Sequence, residues 1–219
     1  MGDGRRLAIC LPQTETVRNE YARSLAEMVG MVTRIDVGLD DAFLVSGGGS
    51  LLPAVRQKLA VRAIEEKHAT HLLWIDSDHS FPADTAIRLL AHKRPIVGIN
   101  ATTRTEPLRY TAAISPDEFL ETTRRSKGLQ KVQRIGFGIV LIEARVFQAI
   151  PKPWFLIEYG EKNGEPYYRG EDVYFCEKAR QYGFTPMVDH DLTKETAHFG
   201  SIGWMTAMID PLEPQGISP

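Results

Sequence analysis

Three short segments hold the residues with the most chemical potential. Asp76-Ser77-Asp78 sets two carboxylates two positions apart, Gly170-Glu171-Asp172 sets two more side by side, and Ala197-His198-Phe199-Gly200 carries a histidine. Hard oxygen donors suit a divalent cation, and one imidazole among them admits Mn²⁺ as well as Mg²⁺. The Asp-x-Asp pair is therefore a candidate holder of a divalent metal and, through it, of a diphosphate. Each segment alone is a weak signal. Their order along one chain adds the weight.

The elements that must position these groups are legible from hydrophobic pattern. Leu72-Leu73-Trp74-Ile75 is a short apolar run without a turn former, ending at Asp76. Such runs read as strands of a parallel sheet buried on both faces. In open α/β sheets ligands bind outside the carboxyl ends of the strands. Leu7–Leu11 reads as a first strand, and Pro12–Thr16 as the first loop at that edge, which makes Pro12 and Thr14 candidate donor contacts. A helix follows over Thr16–Met31, with Val17, Tyr21, Leu25 and Met28 in one apolar stripe.

Thr33–Val37 and Ala42–Val45 are weaker strand candidates. Ser46-Gly47-Gly48-Gly49-Ser50 is a Gly-rich connection that lacks the glycine spacing and lysine of a phosphate-binding fingerprint. Leu51–Lys67 reads as a helix with Leu52, Val55, Leu59 and Ala63 inward. Arg56 in its first turns reaches a nucleotide if that end faces the site; a solvated helix face is the plainer expectation. After Asp78, a helix to His92 and a strand over Pro95–Ile99 complete a β-α-β unit.

Asn100–Tyr110, with Arg104 and Arg109, begins at a strand's carboxyl end and is a candidate substrate loop. Glu121–Arg134 carries Arg124, Arg125, Lys127, Lys131 and Arg134, either a solvated run or a patch for an anionic acceptor. Ile135–Ile142 alternates glycine with bulky residues, which allows close approach by a ligand or another backbone. Pro151–Arg169 is aromatic and turn-rich, an acceptor wall or a hinged surface loop. Glu171 and Asp172 open a helix closed by Gly183, and acids in a first turn already complement the helix dipole. A last strand covers Thr185–Val188, and Asp189–Asp191 with the His198 segment forms a terminal loop. His190 is a lesser alternative ligand.

With 219 residues, 43% hydrophobic and 25% charged, the chain fits one large soluble domain, expected over 1–209 with a flexible tail over 210–219. A net charge of -2 gives no global electrostatic case for nucleic acid. Two cysteines, Cys10 and Cys176, imply neither a zinc knuckle nor a disulfide framework. No apolar run reaches membrane-spanning length, so no membrane insertion and a cytoplasmic enzyme are expected.

In sequence, HLLWIDSDHSFPADT, GFGIVLIEARVF, GEDVYFCEKARQYGF and AHFG resemble the GT-A-fold glycosyltransferases, particularly the family 2 group and its small phage-type members. The likeness runs over roughly Leu7–Gly203. It implies an α/β fold, a single Rossmann-like GT-A domain with a mostly parallel central sheet and helices on both faces. It further implies a nucleoside-diphosphate-sugar donor, a divalent metal, Mn²⁺ or Mg²⁺, and single transfer to an acceptor hydroxyl. By that resemblance Asp76 contacts the donor's ribose or metal shell, and Asp78 is a direct metal ligand. His198 is a further ligand, Asp172 the base of an inverting reaction, and Glu171 an acceptor-positioning or capping residue. The acceptor is a hydroxyl of a glycan, a protein or a hydroxylated DNA base. A phage-encoded chain would act in the host cytoplasm. The Gln-x-x-Arg-Trp segment of processive synthases is absent. The alternatives are a nucleotidyltransferase, disfavoured because Leu11–Thr16 has neither glycine nor lysine, and a non-catalytic sugar-nucleotide-binding module.

Overall fold

The computed structural model describes residues 4–13, 16–104, 107–162, 164–200 and 203–205. Thr14 and the tail beyond Asp210 lie outside them. The apolar runs make the centre of a seven-stranded sheet of order β2-β1-β3-β9-β5-β12-β8. In chain order these are β1 (Arg6–Pro12), β2 (Asp41–Gly47), β3 (His71–Ile75), β5 (Ile96–Gly98), β8 (Leu129–Lys131), β9 (Ile139–Glu143) and β12 (Met187–Asp189). β1 pairs in parallel with β2 and β3, and β5 with β12. β9 runs antiparallel between β3 and β5, and β8 antiparallel along β12. The strands β1, β2, β3, β5 and β12 thus share one direction, and their carboxyl ends share one edge.

Side chains of these strands alternate between two cores, as period-2 geometry requires. Leu7, Ile9, Leu73, Ile75, Ile139 and Leu141 face one layer, covered by α1 (Asn19–Val32) and α3 (Thr85–Ala91). Ala8, Cys10, Leu72, Trp74, Val140 and Ile142 face the other. That side is covered by α2 (Leu52–Val61), α4 (Ala144–Ala149) and α5 (Glu171–Gln181). Helices on both faces of a mostly parallel sheet are the expected class, and the chain has it. Among the described residues no helix is long and apolar enough to cross a membrane.

Smaller elements decorate the carboxyl edge. β4 (His79–Ser80), β13 (Ala197–Phe199) and β14 (Gly203–Met205) form a three-stranded sheet just beyond β3. β6 (Ala113–Ser115) pairs with β7 (Glu118–Phe119), and β10 (Glu158–Lys162) with β11 (Glu165–Arg169). α6 (His190–Thr193) is a single turn in which the Asp189 carboxylate accepts from the Leu192 amide at 2.9 Å.

Several local expectations give way to tertiary or turn chemistry. Residues 33–37 turn instead of pairing, because Asp36 accepts from the Gly38 amide at 2.9 Å and Gly38 adopts φ +68°. The segment after α2 is π-helical over Arg62–Glu66. Residues 151–169 hold a hairpin, and Trp154 and Phe155 pack in the core, so those two rings are unavailable as an acceptor wall. The C-cap at Gly183 is as expected. Its φ is +86°, its amide donates to Arg180, and the Phe184 amide donates to Ala179, the double bond of a Schellman motif.

Candidate functional site

β3 delivers Asp76 to the carboxyl edge, where its amide donates to the Gly138 carbonyl at 2.9 Å. The chain then turns through Ser77 into β4. The Asp78 carbonyl accepts from the Phe199 amide at 2.7 Å, and β4 pairs with β13 so that His79 lies opposite His198. Two short strands therefore bring the histidine segment to the Asp-x-Asp turn. The two imidazoles stack with centroids 4.2 Å apart.

His198 Nδ1 lies 2.6 Å from the Thr102 carbonyl oxygen. A carbonyl only accepts, so Nδ1 carries a proton and donates. The ring's Nε2 is 3.3 Å from Asp78 Oδ2. Nε2 and the carboxylate are thus close enough to share a proton or a cation. A metal-binding histidine typically donates its other N–H to a carbonyl or carboxylate, as here.

His79 donates from Nδ1 to Asp78 Oδ1 at 2.9 Å. Its Nε2 is buried without a partner, packed against Gly138, where a Cβ would come within 2.5 Å of it. Burial pushes the His79 imidazole's pKa down, against the hydrogen bond and charge of Asp78. Burial alone would raise the Asp78 carboxyl. Hydrogen bonds from His198 and His79, with their charges, override it and hold Asp78 well below the usual carboxylate range. Donor atoms of Asp78, His79 and His198 lie within 4.8 Å of one another, a carboxylate and two imidazoles fit for a divalent ion.

Asp76 stands apart from that trio. Both its oxygens accept from Arg56 Nη2, at 2.9 and 3.1 Å, while Arg56 Nε donates to Glu171 Oε1 at 3.2 Å. Arg56 is only 2% exposed and lies between the Trp74 and Phe137 rings. The solvated-face expectation for Arg56 is therefore corrected. Two of its nitrogens are held by acids, and the third, Nη1, is buried without a partner. A buried guanidinium needs counter-charge, and Asp76 and Glu171 supply it. Desolvation pushes Asp76 upward against the pull of Arg56.

Asp172, in the first turn of α5, accepts from the Val173 amide at 2.7 Å. Desolvation and then the neighbouring Glu171 charge push its carboxyl up to about 6. It is mostly ionised at neutral pH and still a competent proton acceptor. Pro12 closes β1 at this same edge, buried opposite Gly47. His190 points elsewhere, between Thr122 and Gln130.

A cleft of about 360 Å³ opens on the Asp78 side, lined by Thr16, Val17, Arg18, Ser77, Arg104, Phe199 and Gly200. Arg104 Nη1 reaches Asp78 Oδ2 at 2.8 Å. A larger cleft of about 560 Å³ runs along α1 past Gly30, Met31 and Ile35, with a mostly apolar lining and no metal-type cluster. Converging chemistry, not volume, marks the site. Sequence reasoning named Arg104 only as a loop residue and passed over His79. The clue for His79 was its adjacency to Asp78; its opposition to His198 comes from strand pairing invisible in the sequence.

No family model matches the chain, and no curated protein matches it in sequence. Among solved structures, A197 from STIV superposes with a TM-score of 0.59 at 17% identity, over 90% of this chain and 86% of that one. This chain shares its fold with A197. At that identity the likeness carries the fold and no activity. The catalytic domain of Drosophila β1,4-galactosyltransferase 7, complexed with xylobiose, gives a TM-score of 0.46 at 13% identity over 82% of this chain. GalNAc-T7 with UDP, GalNAc and Mn²⁺ gives 0.48 at 13% identity over 85%. The chain spans 63% and 42% of those two, and the overlap is too loose to assign their chemistry.

Proposed function

We propose that the protein is a metal-dependent glycosyltransferase of GT-A type that moves one sugar from a nucleoside-diphosphate-sugar to an acceptor hydroxyl. The observation that carries this reading is the Asp78–His198 pair, with Nε2 3.3 Å from Oδ2 and the imidazole ring oriented by the Thr102 carbonyl. Asp78 and His198 hold the divalent ion, Mn²⁺ or Mg²⁺, and His79 orients the Asp78 carboxylate from behind. The bound ion supplies charge neutralisation for the diphosphate leaving group.

The chain's own groups do the rest. Arg18 and Arg104 line the cleft beside Asp78 and offer guanidinium donors to phosphate oxygens. Asp172 takes the proton from the acceptor hydroxyl as its oxygen attacks the anomeric carbon and the bond from that carbon to the diphosphate breaks. Attack opposite the leaving group gives inversion. Glu171 is held by Arg56 in the first turn of α5 and keeps that end of the helix in place. Asp76, fixed by the same guanidinium, forms the wall beside the donor.

Thermal shift with Mn²⁺ and a panel of nucleoside diphosphates tests the donor site. A ligand at 100 times its Kd stabilises by about 2.7 kcal/mol through mass action. Wild type should melt higher with Mn²⁺ plus one diphosphate, and Asp78→Ala and His198→Ala should lose that gain. A gain retained in both variants would remove the metal assignment.

A further inference from the structure

The guanidinium of Arg104 occupies the place a cation would take. Its Nη1 is 2.8 Å from Asp78 Oδ2, the same oxygen that faces His198 Nε2 at 3.3 Å. One carboxylate oxygen thus serves both the proposed metal position and an arginine. The side chain is 52% exposed, whereas Asp78 is 26% exposed, so the arginine is free to leave and the acid is not.

The loop explains how the two contacts coexist. Thr102, whose carbonyl orients His198, bridges to Tyr110, and the Thr103 amide donates to the Arg109 carbonyl at 2.7 Å. Arg109 returns a hydrogen bond to Thr103 Oγ1 at 3.1 Å. The base of the loop is therefore pinned beside the histidine, and Arg104 is the next residue beyond the pin. Its long side chain can swing without disturbing the backbone that orients His198. On the far wall of the cleft Arg18 donates to the Gly200 carbonyl at 3.2 Å and lies over the Phe199 ring.

We propose that Arg104 is a resident counter-cation that a divalent ion must displace from Asp78, and that the displaced guanidinium then becomes a ligand of the diphosphate. The inference rests on the metal reading of Asp78 and His198 given above. Arginine and metal compete for one oxygen, while metal and phosphate act together. Removing the arginine therefore has opposite effects on the two ligands. A residue that merely supports the loop would weaken both.

Direct Mn²⁺ titration of the full chain by electron paramagnetic resonance, without donor, separates these cases, followed by inorganic pyrophosphate titration of the Mn²⁺-loaded protein. Arg104→Ala should bind Mn²⁺ about two- to five-fold more tightly than wild type, the worth of a half-exposed ion pair. The loaded variant should bind pyrophosphate about ten-fold more weakly, the loss of one charge-assisted hydrogen bond. Arg104→Lys, which keeps the charge, should stay near wild type in the first titration. Equal or weaker Mn²⁺ binding by Arg104→Ala, in a variant with unchanged melting temperature, overturns the displacement and leaves the metal site standing. If neither wild type nor Arg104→Ala binds Mn²⁺, both the displacement and the metal reading fall.

Discussion

Arg56 Nε lies 3.2 Å from Glu171 Oε1, and that bond ties α2 to the start of α5. The same guanidinium holds Asp76 at 2.9 Å, so one buried cation joins the strand that leads to the proposed metal ligands to the helix that carries Asp172. The two halves of the proposed reaction are registered by this ion triad rather than by apolar packing alone.

Arg56→Met would leave two acids without their counter-charge. Removing one partner of a buried ion pair costs about 3–5 kcal/mol. Urea denaturation should show a loss of that size at neutral pH. Arg56→Lys keeps the charge but cannot fork to both acids, and should fall between wild type and Arg56→Met.

With Asp172 as the proposed base, its ionisation should set the pH dependence. A base works when ionised, so kcat/KM should rise with pH through about 6 and then level. Asp172→Asn should lose that limb and about 10²–10⁴-fold in rate. Stability moves the other way. A carboxyl whose folded value is raised favours the fold while protonated; that contribution is complete below the ordinary carboxyl range and lost as pH rises through about 6. Asp172→Asn should therefore melt higher than wild type at pH 8, with roughly 2–4 °C for each kcal/mol recovered. At pH 4 the two should melt together.

Gly138→Ala probes the floor beneath the imidazoles. The added Cβ would come within 2.5 Å of His79 Nε2 and 2.7 Å of Cε1. The ring must move, and Asp78 Oδ1 loses the donor that orients it. Overpacking of this kind costs about 1–3 kcal/mol. Denaturation should register that loss, and Mn²⁺ affinity should fall with it. Gly136→Ala, whose Cβ would meet the Thr111 side chain at 2.9 Å instead, should spare Mn²⁺ binding.

What the sequence could reveal depended on how local the determinant was. β3 and the apolar run of β1 were readable because a strand buried on both faces must be apolar throughout. The α5 boundaries followed from acids at one end and Gly183 at the other. The proximity of Asp78 and His198 was legible only through resemblance, and the structure brings the two together. Arg56 was misread because a charged side chain reads as exposed, although it stands one turn before Leu59 on the inward face; Leu52 is 40% exposed and Arg56 is 2% exposed. Its counter-charges, Asp76 and Glu171, are distant in the chain, so no local pattern announces them. Trp154 and Phe155 look like binding-site aromatics in a turn-rich stretch, but Phe155 stacks on Phe175 in the core. The basic run reads in sequence either as a solvated face or as a patch for an anionic acceptor. Arg124, Arg125, Lys127 and Lys131 are exposed, and β8, where the run continues, lies at the sheet edge four strands from β3. At about 4.8 Å per strand that is roughly 19 Å away.

The central claim is sugar transfer through a metal held by Asp78 and His198. Its most direct test is release of nucleoside diphosphate from a panel of sugar nucleotides, with Mn²⁺ or with EDTA, by wild type and Asp78→Ala. Wild type should cleave at least one donor only when Mn²⁺ is present, and Asp78→Ala should be silent. Release that survives both EDTA and the substitution, or no release from any donor by wild type, would contradict it.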